Sequence, residues 1–215
     1  MKKIAFFGGS GGLGIEVVKR LKNYDVNSIG SKLCDFRKPD EIKNYFINNK
    51  DIDIVIIFSN YNFNSFLHKY VDEDGERELK SQLDINIYGV TRCLSNVIPQ
   101  MRSRNYGRII LASSVTVDRN IMGTSIYAAT KAYYENIVKT TCIENASKGI
   151  TANCIQLGYM TGGLCDTLPD KFKNKMLKEI PCNRFGSIGE ISNTIEFIIQ
   201  NEYVNGSTIK LTGGL

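Results

Sequence analysis

Lys3-Ile-Ala-Phe-Phe7 running into Gly8-Gly-Ser-Gly-Gly-Leu-Gly14 is the stretch that decides the fold. A short apolar run reads as a buried strand, and the glycines after it read as a tight turn into a helix. Without side chains in the way, backbone N–H groups can close on a pyrophosphate. Gly8, Ser10, Gly11, Gly12, Leu13 and Gly14 are therefore expected to cradle a dinucleotide. A glycine-rich loop alone is a weak signal; its place after an N-terminal strand gives it weight.

Beyond this opening, short apolar bursts alternate with longer amphipathic stretches, the pattern of strand and crossover helix repeated. Strands are expected at Lys3 to Phe7, Val26 to Gly30, Lys32 to Cys34, Ile54 to Phe58, Arg108 to Ala112, Thr151 to Leu157 and Ser207 to Leu211. Helices are expected at Gly12 to Asn23, Asp40 to Asn48, Glu76 to Ser103, Ser125 to Ser147, Asp170 to Glu179 and Ile188 to Gln200. Ser187 and Glu190 stand in capping-box spacing at the start of the last helix. The fold class predicted is α/β: a Rossmann-like, doubly wound parallel sheet of about seven strands with helices on both faces, in one domain over residues 1–215. One connection is too short. Only Ser31 separates the second and third expected strands, where parallel neighbours need a crossover, so a helix is missing there or the second strand is degenerate.

The 215 residues are 42% apolar, enough for one core. The net charge of +5 is spread among interspersed acids and bases, which argues against nucleic acid as the main partner and leaves an anionic small molecule compatible. Six cysteines at 34, 93, 142, 154, 165 and 182 form no C-x-x-C pair and no zinc spacing. They read as reduced, mostly buried thiols, and no metal site is expected. The apolar run after Lys2-Lys3 ends too soon for a secretory core of about 7 to 15 residues, and nothing approaches the roughly 20 apolar residues that span a bilayer. A cytoplasmic protein with no membrane contact is expected.

Tyr127-Ala-Ala-Thr-Lys131, with Ser114 upstream, carries the chemistry. A tyrosine with a pKa of about 10 is a sluggish base at neutral pH, and bringing that pKa down to about 7 takes about 4 kcal/mol of differential stabilisation. Lys131, one helical turn on, is expected to supply it. Tyr127 can then trade a proton with a substrate oxygen, while Ser114 polarises the carbonyl.

These residues stand with Gly8-x-x-x-Gly12-Leu-Gly14, Asp53-Ile54, Asn86-Ile-Tyr-Gly89, Pro99-x-Met101, Gly107-Arg-Ile-Ile110, Asn153, Arg184-Phe-Gly186 and Thr212-Gly-Gly214. Through them the chain resembles the short-chain dehydrogenase/reductase family over nearly its whole length. The resemblance implies catalytic roles for Asn86, Ser114, Tyr127 and Lys131, with Lys131 also holding the nicotinamide ribose and Asn86 anchoring a water. It further implies cofactor contacts at Asp35, Phe36, Ser59, Asn60, Gly158, Met160 and Thr161. Ser31 and Lys32 stand where the second strand ends. With no carboxylate there to take a 2′-hydroxyl, NADPH (NADP) is the expected cofactor and NADH (NAD) the alternative. The chain departs from the family at Phe7, at Ile57-Phe58-Ser59-Asn60, at Leu157-Gly158 and at Gly162, which touches the cofactor's fine geometry.

Between Tyr159 and Ile180, Lys171, Lys173, Lys175 and Lys178 accompany Phe172, Met176 and Leu177 on an amphipathic stretch. The lysines read as a solvated face or as attraction for an acidic, carrier-linked substrate. Tyr159 and Thr161 are expected in the substrate pocket. The expected activity is an NADP-dependent oxidoreductase interconverting a ketone and a secondary alcohol. The C-terminal half resembles 3-oxoacyl carrier-protein reductases, which makes a 3-oxoacyl thioester one candidate substrate and a keto-sugar or secondary metabolite the other. The rival reading is a non-catalytic dinucleotide-binding or regulatory protein. His68 reads as a solvated loop residue, Ser113 as an interior neighbour, and Tyr88, Tyr133 and Tyr134 as packing residues. The two long helices resemble those at the family's dimer and tetramer interfaces, so a homodimer or homotetramer is expected.

Overall fold

A computed structural model describes residues 1–162, 165 and 168–215. Six strands form one all-parallel sheet: β1 (Lys3–Phe7), β2 (Asp25–Ile29), β3 (Ile54–Ile57), β4 (Gly107–Ser114), β5 (Ile150–Leu157) and β6 (Thr208–Leu211). Their order is β2-β1-β3-β4-β5-β6, so the chain reverses direction across the sheet between β1 and β3. Ligands bind outside the carboxyl ends of strands at such a switch point.

The sheet has six strands where about seven were expected. Lys32 to Cys34 is a turn, closed by Leu33 N–H and Cys34 N–H on the Gly30 carbonyl at 2.9 and 3.1 Å. No crossover is needed because there is no further strand to reach. After the turn, Phe36 joins an aromatic cluster: Phe7 lies 5.2, 5.3 and 5.9 Å from the rings of Phe36, Tyr45 and Phe46. This accounts for Phe7 at the end of β1, since a small polar side chain would leave a cavity there.

Both sheet faces are covered, as near-continuous apolar strands require. Ala5, Phe7, Val55, Ile57, Ile109 and Leu111 pack in one buried cluster with Phe46, Leu94 and Val138, under α2 (Pro39–Asn48), α4 (Val90–Arg104) and α5 (Ser125–Asn145). The alternate residues Ile4, Phe6, Ile54, Ile56 and Ile110 pack with Val17, Ile191, Ile195 and Ile198, under α1 (Gly12–Val18) and a later helix, Ile188–Gln200. Side chains that alternate along a strand must fall on opposite faces, so one apolar run builds both cores.

The helix expected over Glu76 to Ser103 is three segments: α3 (Glu73–Leu83), a π-helical turn (Asp84–Gly89) and α4. The wider turn turns Asn86 fully into the interior. π-turns inside helices recur at functional sites. Beyond α5, the described residues include α6 (Asp170–Glu179) and α7 (Ile188–Gln200). The capping box of α7 is present, with Glu190 N–H on Ser187 Oγ at 3.2 Å and Ser187 N–H on Glu190 Oε2 at 2.7 Å. Arg184 beside it holds the Glu190 carboxyl down at about 2. No helix among the described residues is long and apolar enough to cross a membrane.

Candidate active site

A cleft of about 530 Å³ opens at the carboxyl ends of β1, β3, β4 and β5. Gly8, Gly11, Gly12, Leu13 and Gly14 line one end of it. Close approach explains two of these glycines: a Cβ on Gly8 would lie 2.5 Å from Ser59 N, and one on Gly14 2.0 Å from Gly8 O. Above Gly11 and Gly12 nothing lies within 4 Å. A turn packed tightly below and open above is the shape that a pyrophosphate needs, so these residues fit a dinucleotide.

Ser10 reaches toward the end of β2, where a Cβ on Gly30 would be 2.0 Å from its Oγ. Ser31 and Lys32 are exposed on the turn that follows, beside the glycine loop. Asp35 and Phe36 sit deeper. The Asp35 carboxylate accepts from Arg37 Nε at 3.0 Å and Nη2 at 2.6 Å, and that guanidinium holds it below the usual carboxylate range. Phe36 is buried in the aromatic cluster against Gly89, where a Cβ would meet the Phe36 Cβ at 2.5 Å. Neither residue lines the cleft.

At the other end the catalytic candidates converge. Ser114 ends β4, and Tyr127 and Lys131 are one turn apart on α5; all three line the cleft. The Tyr127 hydroxyl neighbours Ser114 and Asn60, both of which favour its ionised form. Ser114 Oγ is fixed in turn by Thr116, whose N–H and Oγ1 donate to it at 3.2 and 3.0 Å. Lys131 is buried; its Nζ donates to the Ala112 carbonyl at 2.9 Å and lies 4.3 Å over the Tyr134 ring.

The expected fall of the Tyr127 pKa is not found. Burial pushes Tyr127 up to about 12, partly offset by the influence of Ser114 and Asn60. The same burial pushes Lys131 down to about 7. Both groups lose water together, and Nζ stands 5.6 Å from the Tyr127 ring centroid, so desolvation outweighs their interaction.

Asn86 acts as a clamp. Its Oδ1 accepts from Tyr61 N–H at 2.9 Å, and its Nδ2 donates to Tyr61 O at 2.8 Å and to Thr130 Oγ1 at 3.2 Å. It ties the segment after β3 to α5. Ser59 borders Gly8, whereas Asn60 faces the cleft. Gly158, Tyr159 and Met160 also line the cleft. Thr161 lies outside that lining and bonds back to Gly186 O through its N–H and Oγ1 at 2.9 and 3.2 Å. Of α6, Met176 reaches the cleft, and none of the lysines is part of its wall. Within the Tyr159–Ile180 stretch, residues 163, 164, 166 and 167 lie outside the described residues.

Sequence reasoning missed one network. Ser113 Oγ donates to Glu135 at 2.6 Å, and Gln156 Nε2 donates to Glu135 and to Asp118, both at 3.0 Å. Lys210 Nζ closes it on Asp118 at 2.6 Å. Glu135, two turns beyond Tyr127 on α5, was its one sequence signal. His68 is exposed and stacks on Phe66. Four of the six cysteines are buried. Among the described residues no His, Cys, Asp or Glu cluster could hold a metal.

The model of a family described as Enoyl-(Acyl carrier protein) reductase matches residues 16–215. The chain belongs to the short-chain dehydrogenase/reductase family. Within that family it is 36% identical, over 142 residues, to a 3-oxoacyl-[acyl-carrier-protein] reductase of Staphylococcus epidermidis. That match takes in 65% of this chain and 58% of the relative's length. A protein of the same name from Rickettsia felis is 25% identical over 202 residues, 93% of this chain and 82% of that one. Among solved structures, a small-chain dehydrogenase in complex with NADPH shares the fold of this short-chain dehydrogenase/reductase. Its TM-score is 0.86 at 21% identity, over 99% of this chain and 97% of that chain.

Proposed function

We propose that the protein is an NADPH-dependent reductase interconverting a ketone and a secondary alcohol, with Tyr127 as the proton donor and acceptor. The observation that carries this reading is the meeting of Tyr127, Ser114 and Lys131 in one cleft with the glycine turn at its other end. The nicotinamide, when bound, supplies or accepts the hydride. Burial keeps Tyr127 protonated at neutral pH, the form that gives a proton to a carbonyl oxygen during reduction. Ser114, oriented by Thr116, hydrogen-bonds that oxygen as charge develops on it. Lys131, poised near neutrality, changes charge readily beside the phenol. Gly8 to Gly14 hold the pyrophosphate, and Ser10, Ser31 and Lys32 form the adenosine end, where a lysine without a competing carboxylate favours a 2′-phosphate.

The relatives' names point to a 3-oxoacyl thioester on an acyl carrier protein as substrate; a keto-sugar is the second candidate. Lys171, Lys175 and Lys178, exposed on α6, lie where an acidic carrier could approach. A homo-oligomer is proposed from the family membership. The test is Tyr127→Phe: NADPH oxidation with acetoacetyl thioester or keto-sugar should fall by about 10² or more, with NADPH affinity retained. Turnover close to the unaltered protein's would overturn the assignment.

A further inference from the structure

The segment leaving β3 reads Asn60-Tyr-Asn62-Phe-Asn64, and all three asparagines line the cleft. The intervening residues are pinned facing away. Tyr61 has its backbone N–H and C=O both held by Asn86, and its hydroxyl bonds to Glu78. Phe63 packs edge-on against Tyr70, 6.0 Å between ring centroids, and its carbonyl accepts from the Tyr70 hydroxyl at 3.3 Å. Ser65 N–H then bonds Gly123 O at 2.9 Å. With the backbone fixed at alternate positions, the carboxamides are set in a row before any substrate arrives.

Asn60 is used: it acts on the Tyr127 hydroxyl. The side chains of Asn62 and Asn64 are exposed and make no hydrogen bond to any described residue. Each offers two donors and an acceptor. Met160, Leu168 and Met176 give the same cleft apolar lining. Among the described residues the cleft contains no carboxylate and no arginine, and Lys131 is its one lysine. Among the described residues only Lys131 could pair with a charged group near the reacting carbonyl, whereas the asparagines offer much to a neutral, hydrogen-bonding substrate. A ligand lacking partners would desolvate the carboxamides without return, which is how buried polar groups reject the wrong substrate.

Resting on the reductase reading above, we propose that Asn62 and Asn64 determine specificity, selecting a substrate that carries neutral amide or hydroxyl groups along one edge beyond the carbonyl reduced at Tyr127. The two amides of a pantetheine arm and the hydroxyls of a sugar share this chemistry, and the experiment separates them.

The full chain, unaltered and as Asn62→Ala, Asn64→Ala and the double variant, is assayed for NADPH oxidation with acetoacetyl-pantetheine, with a keto-pyranose and with ethyl acetoacetate. The quantity read is the preference, kcat/KM for each polar substrate divided by that for the plain ester. Losing one neutral hydrogen bond should lower the preference roughly three- to tenfold per asparagine, through KM, with NADPH affinity and melting temperature retained. The arm in which the fall occurs names the source: thioester amides or sugar hydroxyls. Asn62→Gln or Asn64→Gln should recover part of it. A preference unchanged in both arms, with turnover intact, overturns the asparagine proposal and leaves the reductase reading standing. An unaltered protein that binds NADPH yet reduces none of the three removes the reductase reading and this proposal with it.

Discussion

Lys131→Met should make the ligand-free chain more stable at neutral pH, although it removes a central side chain of the site. Burial holds the Lys131 ammonium down from its ordinary value of 10.5 to about 7. For a lysine so depressed, the unfolded chain takes up a proton below about 10.5 that the folded chain refuses. Stability is therefore withheld at pH 7 and returns as pH rises toward 10.5. At about 1.4 kcal/mol per tenfold change, the penalty is about 4 kcal/mol at pH 7 and about 1 kcal/mol at pH 9.5. Methionine removes the penalty and gives up the bond to Ala112 O, worth about 1 kcal/mol. The variant should gain about 3 kcal/mol at pH 7 and nearly nothing at pH 9.5. Urea unfolding of both proteins at the two pH values reads this difference, in which titrations common to both cancel. A variant less stable at pH 7, or a difference that ignores pH, would refute the argument that Lys131 is an uncompensated buried cation.

Gly14→Ala should abolish NADPH binding measured by fluorescence and lower the melting temperature, because its Cβ would lie 2.0 Å from Gly8 O and the backbone of the turn must move. Lys32→Ala should weaken NADPH about tenfold, the loss of one charge-assisted contact, and leave NADH affinity unchanged; calorimetry with each cofactor decides. Glu135→Ala strands Ser113 Oγ and one donor of Gln156. It should cost about 1–3 kcal/mol in urea unfolding, a cost that Glu135→Gln should reduce.

The glycine turn, all six strands to within a residue or two, and the residues at 114, 127 and 131 were legible because each rests on a local pattern: an apolar burst, a tight turn, a helical spacing. Lys32 to Cys34 misled because a short apolar run is ambiguous, and what settles it is distant in sequence. Cys34 and Phe36 are buried with Phe7 and Phe46 in one core cluster. The break at Asp84–Gly89 was hidden since π-turns carry no sequence signature comparable to proline. The Tyr127 and Lys131 shifts were misjudged because charge spacing is visible in a sequence and desolvation is not. Glu135 and the asparagine row depend on side-chain direction across separate elements, which no local period encodes.

A crystal structure of the full chain with NADPH and a 3-oxo substrate tests the central claim most directly. The account predicts pyrophosphate over Gly11 and Gly12 and a substrate oxygen within about 2.6–3.2 Å of both Tyr127 Oη and Ser114 Oγ. A dinucleotide seated elsewhere, or a substrate carbonyl distant from both hydroxyls, would contradict it.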